Sequence, residues 1–133
     1  LYVADHAYGI DLVLQNGRIG ENYNIGGNNE WANIDIVKAI SVLVEQEFTN
    51  NIGLAVRFPN AKAVIEKNTE SLITFVKDRP GHDKRYAIDA TKTNNELGYQ
   101  PKESFETGIA KTVAWYLNNE KWWQSVIDGS YQD

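Results

Sequence analysis

The chain of 133 residues contains no cysteine. Disulfides and thiolate zinc sites are therefore excluded, and the composition fits a reducing compartment. Imidazole ligands are limited to His6 and His82, so no metal is expected. No apolar run approaches the ~20 residues of a membrane span, and no signal peptide opens the sequence. The expected location is cytoplasmic. Basic residues number 13 against 18 acidic ones, for a formal net charge of −5. That balance gives no global electrostatic reason to bind nucleic acid. An anion would have to be captured locally, by a few placed donors.

Several motifs are missing as well. No G-x-G-x-x-G fingerprint is present, so the Gly26-Gly27 pair is not a dinucleotide site. No Ser-His-Asp set assembles, and no Tyr-x-x-x-Lys pair occurs: Tyr86 is followed four residues later by Ala90, and Tyr116 by Glu120. No catalytic or cofactor-binding residue is expected within this chain. There are no repeats and no low-complexity segments. What remains has the 42% hydrophobic and 23% charged content of a globular protein. The length suits one domain, residues 1–133, with a proper core. The openings "LYVADHAYGI" and closing "GSYQD" read as the edges of a piece of a longer protein.

The pattern along the chain predicts a mixed α/β domain, a short sheet with helices packed on it. Leu1 to Val3 reads as the end of a strand, with Asp5 capping a helix over residues 6–15 that Asn16-Gly17 ends. On that helix Ile10, Val13 and Leu14 share an apolar face. Tyr23 and Ile25 mark a short strand running into Gly26-Gly27. A helix over 34–46 follows, with Val37, Ile40 and Val44 on a broad apolar stripe. Residues 48–70 are the least legible: "FTNNIG" reads as a loop and "NAKAVIEKN" as a short helix capped by Asn60. "SLITFV" has the β-branched and aromatic content of a strand, and "RYAID" alternates Tyr86 with Ile88. Asp89 is placed to cap a helix over 90–97 that Gly98 terminates. The last helix carries the seam Phe105, Ile109, Val113 and Tyr116/Leu117. Trp115, Trp122 and Trp123 gather near its end, where aromatic residues at helical spacing pack against a core or a neighbouring domain.

Three places bear on chemistry. In "YNIGGNNEWANIDIV", a strand ending in Gly-Gly and a helix starting near Asn33 bring unpaired backbone N–H groups to one spot. Such a terminus suits phosphate, the helix dipole adding about 0.3–1 kcal/mol. Asn33 either caps its own helix, where Asn is among the best residues, or also faces a ligand. In "DRPGHD", Pro80-Gly81 suits the centre of a type II turn, Pro fixing φ and Gly supplying a positive one. Arg79 and His82 then flank a reversal at the carboxyl end of "SLITFV", where ligands of open α/β sheets tend to bind. Arg79 either grips a phosphate through two parallel N–H bonds or pairs with Asp78 or Asp83 on a solvated turn. Asp5-His6 resembles an acid–base pair only on paper, because adjacent residues on a helix turn point in different directions.

The segments "LYVADHA", "YNIGGNNEWANIDIV", "ITFVKDRPGHDKRYAIDATKTNNELGY", "FETGIAKTVAWYLNNEKWW" and "GSYQD" resemble, in order, the C-terminal portion of the dTDP-glucose 4,6-dehydratases of the extended short-chain dehydrogenase/reductase family. "DRPGHD-x-RYAID" is the most specific stretch. The resemblance implies an upstream Rossmann domain that binds NAD and carries the catalytic Tyr-x-x-x-Lys pair. This chain would be the smaller domain that binds the dTDP-sugar, inactive alone and part of a homodimer when whole. Carried over by position, the substrate residues are Asn33, Asp78, Arg79, Pro80, Gly81 and His82. The implied reaction oxidises the sugar at C4, removes water across C5–C6 and returns the hydride to C6. Departures fall at Ala4 and Tyr8, where the family has Glu and Arg, and at positions 48–72, which are longer than expected. The alternatives are the substrate domain of another nucleotide-sugar epimerase or dehydratase, and a non-catalytic binding module using the Trp-rich end as an interface.

Overall fold

The structure, a computed structural model, describes residues 1–81 and 86–132. The chain falls into two compact units, Leu1–Asn33 with Arg79–Ile109 and Ile34–Asp78 with Ala110–Asp133. Its helices are α1 (Val3–Asn16), α2 (Asn33–Asn50), α3 (Ile52–Arg57), α4 (Lys62–Ile65), α5 (Thr91–Leu97), α6 (Phe105–Asn118) and α7 (Glu120–Asp128), with short 3-10 turns at Thr69–Leu72 and Ser130–Gln132. Among the described residues no helix is long and apolar enough to cross a membrane.

In the first unit α1 starts at Val3, a turn earlier than the sequence suggests, with Tyr2 extended before it. Asp5 therefore lies inside the helix and does not cap it. Its carboxylate is 3% exposed and accepts from the backbone N–H of Lys102 at 3.0 Å and of Glu103 at 2.9 Å. The expected apolar face of α1 is also displaced. Ile10 and Leu14 are exposed, while Asp5 and Gly9 are buried. At Gly9 the reason is close approach: an added Cβ would lie 2.6 Å from Ile25 Cγ2 and 3.1 Å from the Tyr99 ring. Tyr99 is fully buried, and burial followed by the charge of Asp5 pushes its hydroxyl pKa upward.

Strands need a backbone ladder with a neighbour. Among the described residues none is assigned, at Leu1–Val3, around Tyr23 and Ile25, in "SLITFV" or at 86–89. Residues 22–26 and 86–89 do lie together: the Asn24 amide donates to the Asp89 carbonyl at 3.1 Å, and a Cβ on Gly26 would meet Ile88 at 3.2 Å. The contact runs through side chains and not through a ladder, so alternation in the sequence marked faces without supplying a pairing partner. α5 ends as expected but is capped at Ala90 without a side-chain bond, so Asp89 stands one position ahead of the cap. Asp89 Oδ1 accepts from Thr91 N–H at 2.9 Å, and Gly98 ends the helix in the left-handed region at φ 67. Thr93, fully buried, donates to the Asn24 carbonyl at 2.5 Å.

In the second unit α2 runs on to Asn50, past the expected end at 46. The predicted "FTNNIG" loop is replaced by the end of α2 and by α3, whose cap Asn51 accepts from Gly53 N–H at 3.0 Å. α4 is capped at Ala61 without a side-chain bond, so Asn60 is not its cap. Phe48, Leu54 and Ala63 form the core, with Val44, Phe58, Ala61, Val64 and Leu117 packed against it. Ser71 and Leu72 belong to the 3-10 turn and not to a strand. Phe75 and Val76, beyond that turn, are exposed.

The turn is tied to α2 by one carboxylate. Glu45 Oε1 accepts from Thr69 N–H at 2.6 Å. The Thr69 hydroxyl lies 2.6 Å from the same oxygen and 3.0 Å from the Ser41 carbonyl, and donates to one of them at a time. The Thr69 hydroxyl first, then its N–H, hold the Glu45 pKa below the usual carboxylate value. A lowered folded pKa makes this contribution fully present above the unfolded value of about 4.3. It is lost as the pH falls through the lowered pKa. Urea midpoints of the wild type and Glu45→Gln should therefore converge as the pH is taken down through that range; a constant gap would contradict the link.

Candidate functional site

Residues 26–33 form the first arm of the candidate site. Gly26 is buried against Ile88, where a Cβ would be tight. Asn28 takes a left-handed φ of 53, a conformation that Asn tolerates better than most residues. The Asn29 amide donates to the Gly27 carbonyl at 3.1 Å. Asn33 is itself the first residue of α2 and is exposed. The residue before it, Ala32, has no side-chain oxygen with which to cap. Trp31 stacks on Phe105 with ring centroids 4.3 Å apart and planes 24° from parallel.

The second arm is the turn. Arg79, Pro80 and Gly81 are exposed, and Gly81 has φ 75, as the third position of a type II turn requires. Asp78 is exposed and falls in the second unit. His82 and Asp83 lie outside the described residues. Asn33, Arg79, Pro80 and Gly81 thus belong to one compact unit.

An open cleft of about 450 Å³ in the same unit is lined by His6, Tyr23, Asn24, Ile25, Ala87, Ile88 and Asp89. Asp5 is engaged at residues 102–103 while His6 lines this cleft, so the two neighbours do not act as an acid–base pair. Asp89 is held below the ordinary carboxylate range, first by the Thr91 hydroxyl and then by its N–H, which favours a charged acceptor over a proton donor. Among the described residues no group of three or more His, Cys, Asp or Glu is placed to hold a metal ion.

At the Trp-rich end, in the second unit, Trp123 donates its indole N–H to the Tyr116 carbonyl at 3.0 Å and faces Phe58 at 6.4 Å. Trp115 and Trp122 meet edge-on at 5.1 Å. Arg57 of α3 donates to the Leu117 carbonyl at 3.0 Å and to Glu120 at 3.2 Å, fastening the turn between α6 and α7. Trp123 thus packs beside the core through Phe58, whereas Trp115 and Trp122 remain exposed and pack on each other and on Tyr116.

Sequence reading missed Trp31, Thr93 and the burial of Asp5. The signal for Asp5 was only that an ionisable residue stood where a cap was expected. For Trp31 it was a large ring two residues ahead of a helix that starts on Asn.

Residues 1–112 match the family described as GDP-mannose 4,6 dehydratase, and the chain belongs to that family. Within the curated proteins it is 51% identical over 132 residues to dTDP-glucose 4,6-dehydratase of Neisseria meningitidis serogroup B, which covers 99% of this chain and 34% of that protein. It is 52% identical over 131 residues to dTDP-glucose 4,6-dehydratase of Escherichia coli, covering 98% of this chain and 33% of that one. The chain therefore spans about a third of the length of these relatives. Among solved structures, the dTDP-glucose 4,6-dehydratase of Bacillus anthracis in complex with NAD superposes with a TM-score of 0.70 at 42% identity, over 93% of this chain and 32% of that one. That of Streptomyces venezuelae, with NAD and dTDP bound, gives 0.67 at 36% identity, over 90% of this chain and 30% of that one.

Proposed function

We propose that this chain is the dTDP-sugar-binding portion of an NAD-dependent dTDP-glucose 4,6-dehydratase, a hydro-lyase that converts dTDP-glucose to dTDP-4-keto-6-deoxyglucose. The observation that carries the reading is the "DRPGHD" sequence, whose Gly81 has φ 75, in a chain about half identical to proteins of that name. Arg79 is the residue assigned to the diphosphate, since a guanidinium offers two parallel N–H donors that match phosphate oxygens. Asn33 adds a hydrogen bond at the start of α2, where backbone N–H groups and the helix dipole favour an anion. His82 and Asp78 complete the segment by resemblance, and Pro80-Gly81 set its shape.

NAD is assigned to the part of the protein outside this chain, because the fingerprint it needs is absent here. NAD takes and returns the hydride when bound; the residues of this chain bind and orient the nucleotide half of the substrate. Binding energy from that remote half positions the hexose, so this portion affects turnover as well as affinity. We assign the catalytic residues to the same absent part, and the complete enzyme is read as a homodimer. Residues 22–26 and 86–89, already in side-chain contact, are read as a short sheet in the complete protein.

Arg79→Ala in the full-length protein should weaken dTDP-glucose binding by about 1–3 kcal/mol, the worth of charge-assisted bonds. Calorimetric titration measures this, and unchanged affinity would sink the assignment. Titration with dTDP, UDP and GDP tests the base: a preference for GDP would move the reading to another nucleotide sugar of the same family.

A further inference from the structure

We infer that Trp31 is a positioning residue for Asn33, acting through its stack on Phe105. The inference rests on the substrate-binding reading of Asn33 above. Helix α2 begins at Asn33 with Ala32 before it, so no side-chain oxygen at the preceding position fixes how the chain enters the helix. A hydrophobic residue just before a helix often sets that entry angle by packing on the helix's own next turn. Here the ring packs elsewhere. Trp31 lies on Phe105 at 4.3 Å, nearly parallel, and Phe105 is the first residue of α6.

Phe105 is in turn held from three directions. The preceding Ser104 hydroxyl accepts from Thr107 N–H at 3.3 Å and donates to Glu106 at 2.7 Å, an N-terminal cap for α6. Asp5 of α1 takes the N–H groups of Lys102 and Glu103. Gly108 lies so close to Tyr2 that a Cβ would be 3.1 Å from it. The ring that Trp31 meets therefore belongs to a fixed platform. One residue, Ala32, separates the Trp31 ring seated on that platform from Asn33, with every residue involved inside one compact unit. Stacking converts the rigidity of the α1–α6 junction into a defined direction for the Asn33 side chain. An arm carrying Gly26, Gly27 and a left-handed Asn28 would otherwise have considerable freedom.

The test is a double-mutant cycle in the full-length protein, read by dTDP titration. Trp31→Ala should weaken dTDP binding about three- to tenfold, the scale of one lost aromatic pair, while Trp31→Phe should stay within about twofold because it keeps a stacking ring. In an Asn33→Ala background, Trp31→Ala should cause no further loss, since coupled residues are not additive. A full loss in that background would overturn the inference, because Trp31 would then act on the fold and not on Asn33. Phe105→Leu provides the same cycle from the other ring if Trp31→Ala does not fold. If Arg79→Ala weakens binding but Asn33→Ala does not, the positioning role fails while the substrate-binding reading stands. If neither weakens it, both fail.

Discussion

Asp5→Ala is expected to remove about 3 kcal/mol of stability, read as a lower urea midpoint with an unchanged slope. The magnitude follows from what the carboxylate does. It is buried at 3% exposure and accepts from two successive backbone N–H groups. Alanine would leave both donors without a partner in a partly buried place, and each such group costs about 1–3 kcal/mol. Asp5→Asn keeps one acceptor oxygen and turns an NH2 toward the second donor, so it should lose roughly half as much. The helical alternative, in which Asp5 served only as a cap, would cost about 1 kcal/mol for alanine. A loss of that size for both variants would show that the 102–103 contact contributes little.

Leu54→Ala should cost about 2–5 kcal/mol, the range for emptying a filled aliphatic site. Leu54 is 1% exposed and forms the core cluster with Phe48 and Ala63. Its neighbours Val44, Phe58 and Leu117 come from α2, the segment after α3 and α6, so no single element can move in to fill the space. The result bears on the stretch 48–72. A surface elaboration would tolerate Leu54→Ala within about 0.5 kcal/mol. A loss above 2 kcal/mol would show that this stretch forms the core of the second unit, with Arg57 fastening it to the α6–α7 turn. Denaturant unfolding followed by tryptophan fluorescence would measure it.

The helices that were legible in the sequence are those whose signals are local. Gly98 ends α5 because a left-handed residue is needed there, and Asp89 bonds Thr91 N–H two residues on. The α6 seam buries Val113 and half-buries Phe105, Ile109 and Leu117. Pro80-Gly81 likewise form a turn because both residues carry their own dihedral preference. What failed depends on partners distant in sequence. Asp5 read as a cap because its true partners are 97 and 98 positions away. Ile10 and Leu14 read as a buried face because periodicity cannot say which neighbour will arrive. The α3 helix is too short for periodicity, and its buried side chain is Leu54 alone. For the site, residue types at Asn33 and Arg79 were legible, and their assignment to a diphosphate came from resemblance. The Trp31 stack was not legible, since nothing local links residue 31 to residue 105.

The turn at Gly81 carries a consequence about handedness. Among the described residues, a Cβ built there would find no atom within 4 Å. The constraint is the sign of φ, 75, which an L-residue reaches only at a cost of about 1–2 kcal/mol and a D-residue reaches freely. Of the two stereochemical versions of alanine, the mirror-image one fits. The backbone beside Arg79 thus discriminates chirality through the sign of a single dihedral angle.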